Sequence, residues 1–118
     1  MKIDIVLVRT EHSSNIGSTA RAMANMGANR LILVDPKCKI DLKARQNAAG
    51  AQEQLQNRIA YSNWSEFLAN EEDGVRIALS RRGGRKRKVF ALTGKIQELE
   101  KLRPSTLYLI FGPEADAL

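Results

Sequence analysis

A chain of 118 residues with 43% hydrophobic content supports one soluble domain around a single core. No apolar stretch approaches the roughly 18 residues needed to span a bilayer, and Lys2–Val8 alternates like a strand instead of reading as a signal segment, which excludes a membrane-spanning class and favours the cytoplasm. Lys and Arg outnumber Asp and Glu 19 to 13, a net charge of +6 that points to a polyanionic partner, and a single cysteine, Cys38, excludes an internal disulfide and a zinc cluster.

In chain order, Ile3–Val8 is the first expected strand. A polar turn, Asn15-Ile16-Gly17-Ser18, then opens a helix expected over Ile16–Met26 and stopped by Gly27 as C-cap. Arg21 falls about a turn and a half inside it, beside alanines small enough to let a guanidinium reach back toward the loop. A second strand is expected over Arg30–Asp35, followed by a loop in which Cys38 sits between Lys37 and Lys39 as an incidental thiol. A helix over Asp41–Gly50 follows, then a short additional strand at Tyr61 with Ile59 beside it. The next helix is Trp64–Asn70, capped by Ser62 or Asn63 with Glu66 in its first turn. Strand Val75–Leu79, helix Lys95–Leu102 and strand Leu107–Phe111 complete the pattern. Met23, Met26, Trp64 and Phe67 are expected in the core. Alternation of strands and helices implies an α/β fold: a mostly parallel sheet with helices on both faces, where ligand chemistry gathers at the strand ends.

The positive charge is concentrated. Arg81, Arg82, Arg85, Lys86, Arg87 and Lys88 follow the strand Val75–Leu79 with no intervening acid, and the rest of the chain balances at 13 basic and 13 acidic residues. Gly83-Gly84 lets this run approach a polyanion closely, so phosphate binding explains it better than a solvated face. No aromatic residue lies in the run, so base stacking is not its mode; recognition of backbone charge and shape suits a folded RNA.

Asn15-Ile16-Gly17-Ser18-Thr19-Ala20-Arg21 near the start and Phe111-Gly112-Pro113-Glu114 near the end pair as N-I-G-x-x-A-R with F-G-x-E. This pairing resembles the first two motifs of the SpoU–TrmH family of RNA ribose 2′-O-methyltransferases in the SPOUT superfamily, and most of all its TrmJ-like branch. Leu31–Pro36, Ala48–Ala51 and Ala78–Arg81 fall between them in the family's order, so the resemblance covers essentially the whole chain. The family's third motif, a Ser-Leu-Asn segment leading into the helix that threads the C-terminal knot, has no counterpart, and Ala117 stands where glycine is usual. Residues 1–118 therefore read as the N-terminal and central part of one SPOUT methyltransferase domain, without the knot segment.

The resemblance implies a methyl donor, S-adenosylmethionine, and no metal. It implies Arg21, Asn15 and Glu114 as the catalytic group: Arg21 orients the ribose and stabilises the developing alkoxide, Asn15 fixes the loop, and Glu114 tethers the arginine. It points to Leu79, Ser80, Arg81 and Gly112 for the cofactor, and Arg82, Arg85, Lys86, Arg87 and Lys88 remain for RNA. It further implies a homodimer in the complete protein and tRNA, at its anticodon loop, ahead of ribosomal RNA. Weak or disordered self-association is expected of the 118-residue form. Two other readings stay open. One is a non-catalytic RNA-binding module that keeps the Arg81–Lys88 loop; the other is a nucleotide-binding α/β protein, which leaves that loop unexplained.

Overall fold

The computed structural model describes residues 2–79 and 105–112. The expected helix Lys95–Leu102 lies outside them. Five strands, β1 (Lys2–Val8), β2 (Arg30–Val34), β3 (Ile59–Tyr61), β4 (Val75–Leu79) and β5 (Thr106–Phe111), form one sheet in the order β3-β2-β1-β5-β4. Every neighbouring pair is parallel, and β1 sits at the centre between β2 and β5. Four helices are described: α1 (Ser13–Met26), α2 (Leu42–Asn47), α3 (Gln52–Gln56) and α4 (Trp64–Asn70). None is long and apolar enough to cross a membrane.

Strand periodicity sorts the core into two layers. Ile5, Leu7, Leu31, Leu33, Leu107 and Leu109 face Ile16, Ala20 and Met23 of α1 and Leu55 of α3. Val6, Ile32, Val34, Tyr108 and Ile110 face Phe67 of α4 on the opposite side. Helices thus cover both faces, as the alternating pattern predicts.

Several boundaries differ from expectation. The helix expected over Ile16–Met26 starts at Ser13, so Asn15 lies within its first turn. The helix expected over Asp41–Gly50 is only Leu42–Asn47, because Asp41 is its N-cap and the chain then turns, through Gly50 at φ 78°, into the separate helix α3. Strand β2 ends at Val34, with Asp35 left-handed at φ 51°. Of the two proposed caps of α4, Asn63 serves: its Oδ1 accepts from the Glu66 amide at 2.8 Å. Met23 and Phe67 are buried. Met26 is instead 62% exposed, since α1 ends there and the chain reverses at Gly27. Trp64 stays 37% exposed while stacking on Phe67 at 4.7 Å between ring centroids.

The amino edge of the sheet holds a buried polar network. Asp4, wholly buried on the α4 side of β1, is the register partner of Arg30. Its Oδ1 accepts from the Arg30 backbone amide at 3.1 Å, and its Oδ2 accepts from the guanidinium Nη2 at 2.7 Å and Nε at 3.2 Å. The same guanidinium binds Glu71 beyond α4, and Glu71 also accepts from the Tyr61 hydroxyl. The Tyr108 hydroxyl lies 3.1 Å from both Glu71 Oε1 and the Glu72 carbonyl. Bonding to Asp4, with help from Glu71, outweighs desolvation and raises the Arg30 pKa. Burial pushes Glu71 upward, but its bonds to Arg30 and Tyr61 prevail and hold it below the usual carboxylate value. Burial, reinforced by Glu71, pushes both tyrosines up to about 12. A carboxylate on a central strand is tolerated here because every buried polar group in the network has a partner.

Candidate active-site edge

Chain direction brings the carboxyl ends of all five strands to one edge, where open parallel sheets present their ligand-binding loops. Two of these ends share a local device. After Val8, Arg9 takes a left-handed conformation (φ 54°) and its amide donates to the Val34 carbonyl at 2.8 Å. After Val34, Asp35 takes the same conformation and its amide donates to the Tyr61 carbonyl, also at 2.8 Å. Left-handed backbone is unfavourable for residues with a Cβ, and it persists where surrounding bonds determine it. The result is a sharp exit from the sheet that delivers Thr10, buried, to the start of α1.

Helix α1 carries the N-I-G-x-x-A-R residues. Ile16, Ala20 and Met23 recur at helical spacing and are buried against the sheet, which turns Arg21 and Ala22 outward. Asn15 is half-buried, and its carbonyl accepts from Thr19 Oγ1 at 2.7 Å. Gly27, left-handed at φ 75°, closes the helix by donating its amide to Met23, as a C-cap without a Cβ can.

Helix α2 clamps the first turns of α1. A Cβ on Gly17 would lie 2.1 Å from the Ala44 carbonyl oxygen, so only glycine allows this approach. Asn47 Nδ2 donates to the Ser14 carbonyl at 3.3 Å. Asp41 bonds with the Ser13 side chain and also accepts from the Ala44 amide, and these bonds hold its carboxyl below the usual range. Gly17 therefore serves helix packing, and the stretch it belongs to is held rigidly at the strand ends.

Of the candidate catalytic residues, Asn15 and Arg21 share α1 but stand six residues apart, about 9 Å along its axis. Arg21 is exposed more than two turns beyond Ser13, deeper in the helix than the expected turn and a half. Glu114, its expected tether, lies outside the described residues, as do Ser80, Arg81 and the RNA candidates Arg82, Arg85, Lys86, Arg87 and Lys88. Leu79 ends β4 half-buried and pairs in register with Phe111, which brings Gly112 beside it. Leu7 pairs with the same Phe111, so the end of β5 with Gly112 adjoins the β1 exit and Leu79 lies one strand further out. The half-buried Leu79 and the partly exposed Phe111 give this part of the edge an apolar surface beside strand-end backbone groups.

Sequence reading did not single out Arg9, Thr10, Asp41 or Asn47 at this edge. Asp41 alone carried a local signal, as an Asx residue directly before a helical run. The positions of the others depend on which loops the sheet order brings together.

Comparison with known proteins bears on the family and the fold. The model of the SpoU rRNA Methylase family matches residues 2–118. The tRNA (cytidine/uridine-2′-O-)-methyltransferase TrmJ of Sodalis glossinidius is 48% identical over 67 residues, covering 57% of this chain and 26% of that protein. The crystal structure of TrmJ from Z. mobilis ZM4 superposes with a TM-score of 0.70 at 26% identity, covering 100% of this chain and 52% of that one. An AdoMet-bound rRNA methyltransferase from Sinorhizobium meliloti shares the fold, with a TM-score of 0.63 at 17% identity over 99% of this chain and 41% of that one. The chain spans about half the Z. mobilis protein, and the stretch aligned with the Sodalis protein is about a quarter of that protein.

Proposed function

This chain belongs to the SpoU rRNA methylase family, and on that premise we propose that it contributes to an RNA ribose 2′-O-methyltransferase that uses S-adenosylmethionine and acts on the anticodon loop of tRNA. One observation carries this reading. The N-I-G-x-x-A-R residues form a helix clamped at the carboxyl edge of the sheet, where the end of β1 that leads into it lies beside the end of β5. The tRNA assignment draws on the 48% identity to the Sodalis TrmJ.

Bound S-adenosylmethionine supplies an electrophilic methyl group. Leu79 and Gly112, with Ser80 and Arg81 beyond β4, are the residues proposed to hold it. The ribose hydroxyl is a very weak acid, so the protein's task is to place it and to favour its negative charge as it develops. A guanidinium does both while remaining protonated, which makes Arg21 an orienting and charge-stabilising group rather than a proton acceptor. Asn15 keeps the helix start in register, and Glu114 is proposed to tether Arg21. The Arg82, Arg85, Lys86, Arg87 and Lys88 cations are proposed to bind RNA phosphate. Residues 1–118 are proposed to form part of one methyltransferase domain, in keeping with the share of the solved relatives that they cover.

The test is transfer of labelled methyl from S-adenosylmethionine to unmodified tRNA and to ribosomal RNA, with the modified nucleotide mapped by resistance of its 3′ linkage to alkali. Label at a tRNA anticodon-loop ribose supports the proposal. RNA binding without transfer by the full-length protein would favour the non-catalytic module.

A further inference from the structure

Helix α1 begins without a side-chain cap of its own. His12, at the N-cap position, is extended (φ −115°, ψ 121°) and its side chain makes no cap hydrogen bond, and the first turn holds no acid to offset the positive end of the helix dipole. At the same position α2 has Asp41 and α4 has Asn63, and both side chains accept from a first-turn amide. The helix that carries Asn15 and Arg21 thus starts without the residue that usually fixes a helix start.

What α1 lacks, α2 provides. Asp41 Oδ1 accepts from the Ala44 amide at 3.1 Å, which caps α2. The hydroxyl of Ser13, the buried first residue of α1, donates to the same carboxylate. One carboxylate therefore serves the starts of two helices. At the other end of α2, Asn47 Nδ2 donates to the Ser14 carbonyl at 3.3 Å, and between these two bonds the backbones meet at Gly17 and Ala44. The loop that delivers Asp41 is itself fastened to the β1 exit, where the Lys37 amide donates to the Thr10 carbonyl at 2.9 Å.

We infer that Asp41 is a positioning residue: its carboxylate caps α1 from outside, through Ser13, and so sets where Asn15 and Arg21 stand at the carboxyl edge. This rests on the RNA methyltransferase reading and adds to it a residue that acts through Ser13 and not on the substrate. Simple capping of α2 is the competing role, and the two can be separated.

Serine caps a helix about as well as aspartate does, but it has one oxygen on a shorter side chain. Asp41→Ser therefore keeps the α2 cap and gives up the bond to Ser13, and Ser13→Ala removes that bond from the other side. The measurement is single-turnover methyl transfer from S-adenosylmethionine to unmodified tRNA with the protein in excess. Its amplitude counts competent molecules, whereas its rate constant reports geometry. Each variant is expected to keep the wild-type amplitude and to lose about tenfold in rate constant, a fraction of what a displacement of about 1 Å costs. The double variant is expected to lose no more than either single one, because both remove the same bond. Unchanged rate constants, a loss confined to amplitude, or losses that multiply in the double variant overturn the positioning role.

Amide hydrogen exchange provides a second readout that needs no transfer. Ile16 and Gly17 are expected to exchange at least about fivefold faster in both variants, with Leu31 and Leu33 of β2 unchanged. Unaltered exchange in α1, or acceleration that extends to β2, also overturns the role. Failure of the wild type to transfer methyl defeats the methyltransferase reading, and exchange alone then decides whether Asp41 fixes the start of α1.

Discussion

Gly17 of α1 and Ala44 of α2 meet so closely that a Cβ at position 17 would sit 2.1 Å from the Ala44 carbonyl oxygen. Backbone, not a flexible side chain, occupies that space, so the contact fixes where the first turns of α1 stand relative to α2. Asn15 and Arg21 of α1 are therefore placed by a helix pair.

Gly17→Ala is expected to destabilise the protein by about 3 kcal/mol, the upper part of the range for overpacking a tight contact. Gly27→Ala, where the cost is the left-handed φ of 75° and nothing lies within 4 Å, is expected to lose only about 1 kcal/mol. Urea denaturation of both variants checks the order. Equal losses would show that α1 and α2 can move apart freely.

Asp4→Ala removes the buried partner of a guanidinium that then faces Glu71 alone. A loss of about 3 kcal/mol is expected, at the lower end for breaking a buried pair, because the Arg30 side chain is 29% exposed. A double-mutant cycle with Arg30→Met isolates the coupling, and additive losses would mean that the network contributes nothing as a pair.

The network also sets the pH range of stability. Glu71 is held below its ordinary value of 4.5, so its contribution is complete above that pH and is lost as pH falls through the folded-state value. Tyr61 and Tyr108 are raised from 10 to about 12, so unfolded chains ionise first. Their contribution is complete below pH 10 and disappears between pH 10 and 12. Urea midpoints measured from pH 3 to 12 should fall at both ends. Tyr108→Phe should flatten the alkaline limb; an unchanged limb would assign it to other groups.

On the proposed function, Arg21→Ala is expected to reduce methyl transfer by a factor of about 10³ while tRNA affinity falls only about fivefold, the scale of one exposed ionic contact. Single-turnover transfer and equilibrium binding separate the two quantities. Equal losses of both would make Arg21 a phosphate ligand only.

Much of this protein was legible from local pattern. Four strands appeared as short apolar runs, β3 was placed by Tyr61 and Ile59, and Asn63 and Gly27 act as the caps their residue types suggest. Such features depend on neighbours within a few residues, and the amino-acid sequence carries them directly. Asp4 shows where pattern stops: within Lys2–Val8 it reads as one more residue of an alternating strand, yet it is buried beside Arg30. Only the register of two parallel strands, 26 residues apart in the chain, supplies the charge that makes its burial tolerable.

The edge follows the same division. Asn15, Arg21, Leu79 and Gly112 were picked out by motif, and their order along the chain determined the kind of protein this is. That Gly17 exists to admit Ala44, that Asp41 bonds with Ser13, and that the Lys37 amide reaches the Thr10 carbonyl were decided by tertiary structure. Each of these depends on the sheet order, which sets β2 against β1 and so brings into contact loops that the chain itself keeps about 25 residues apart.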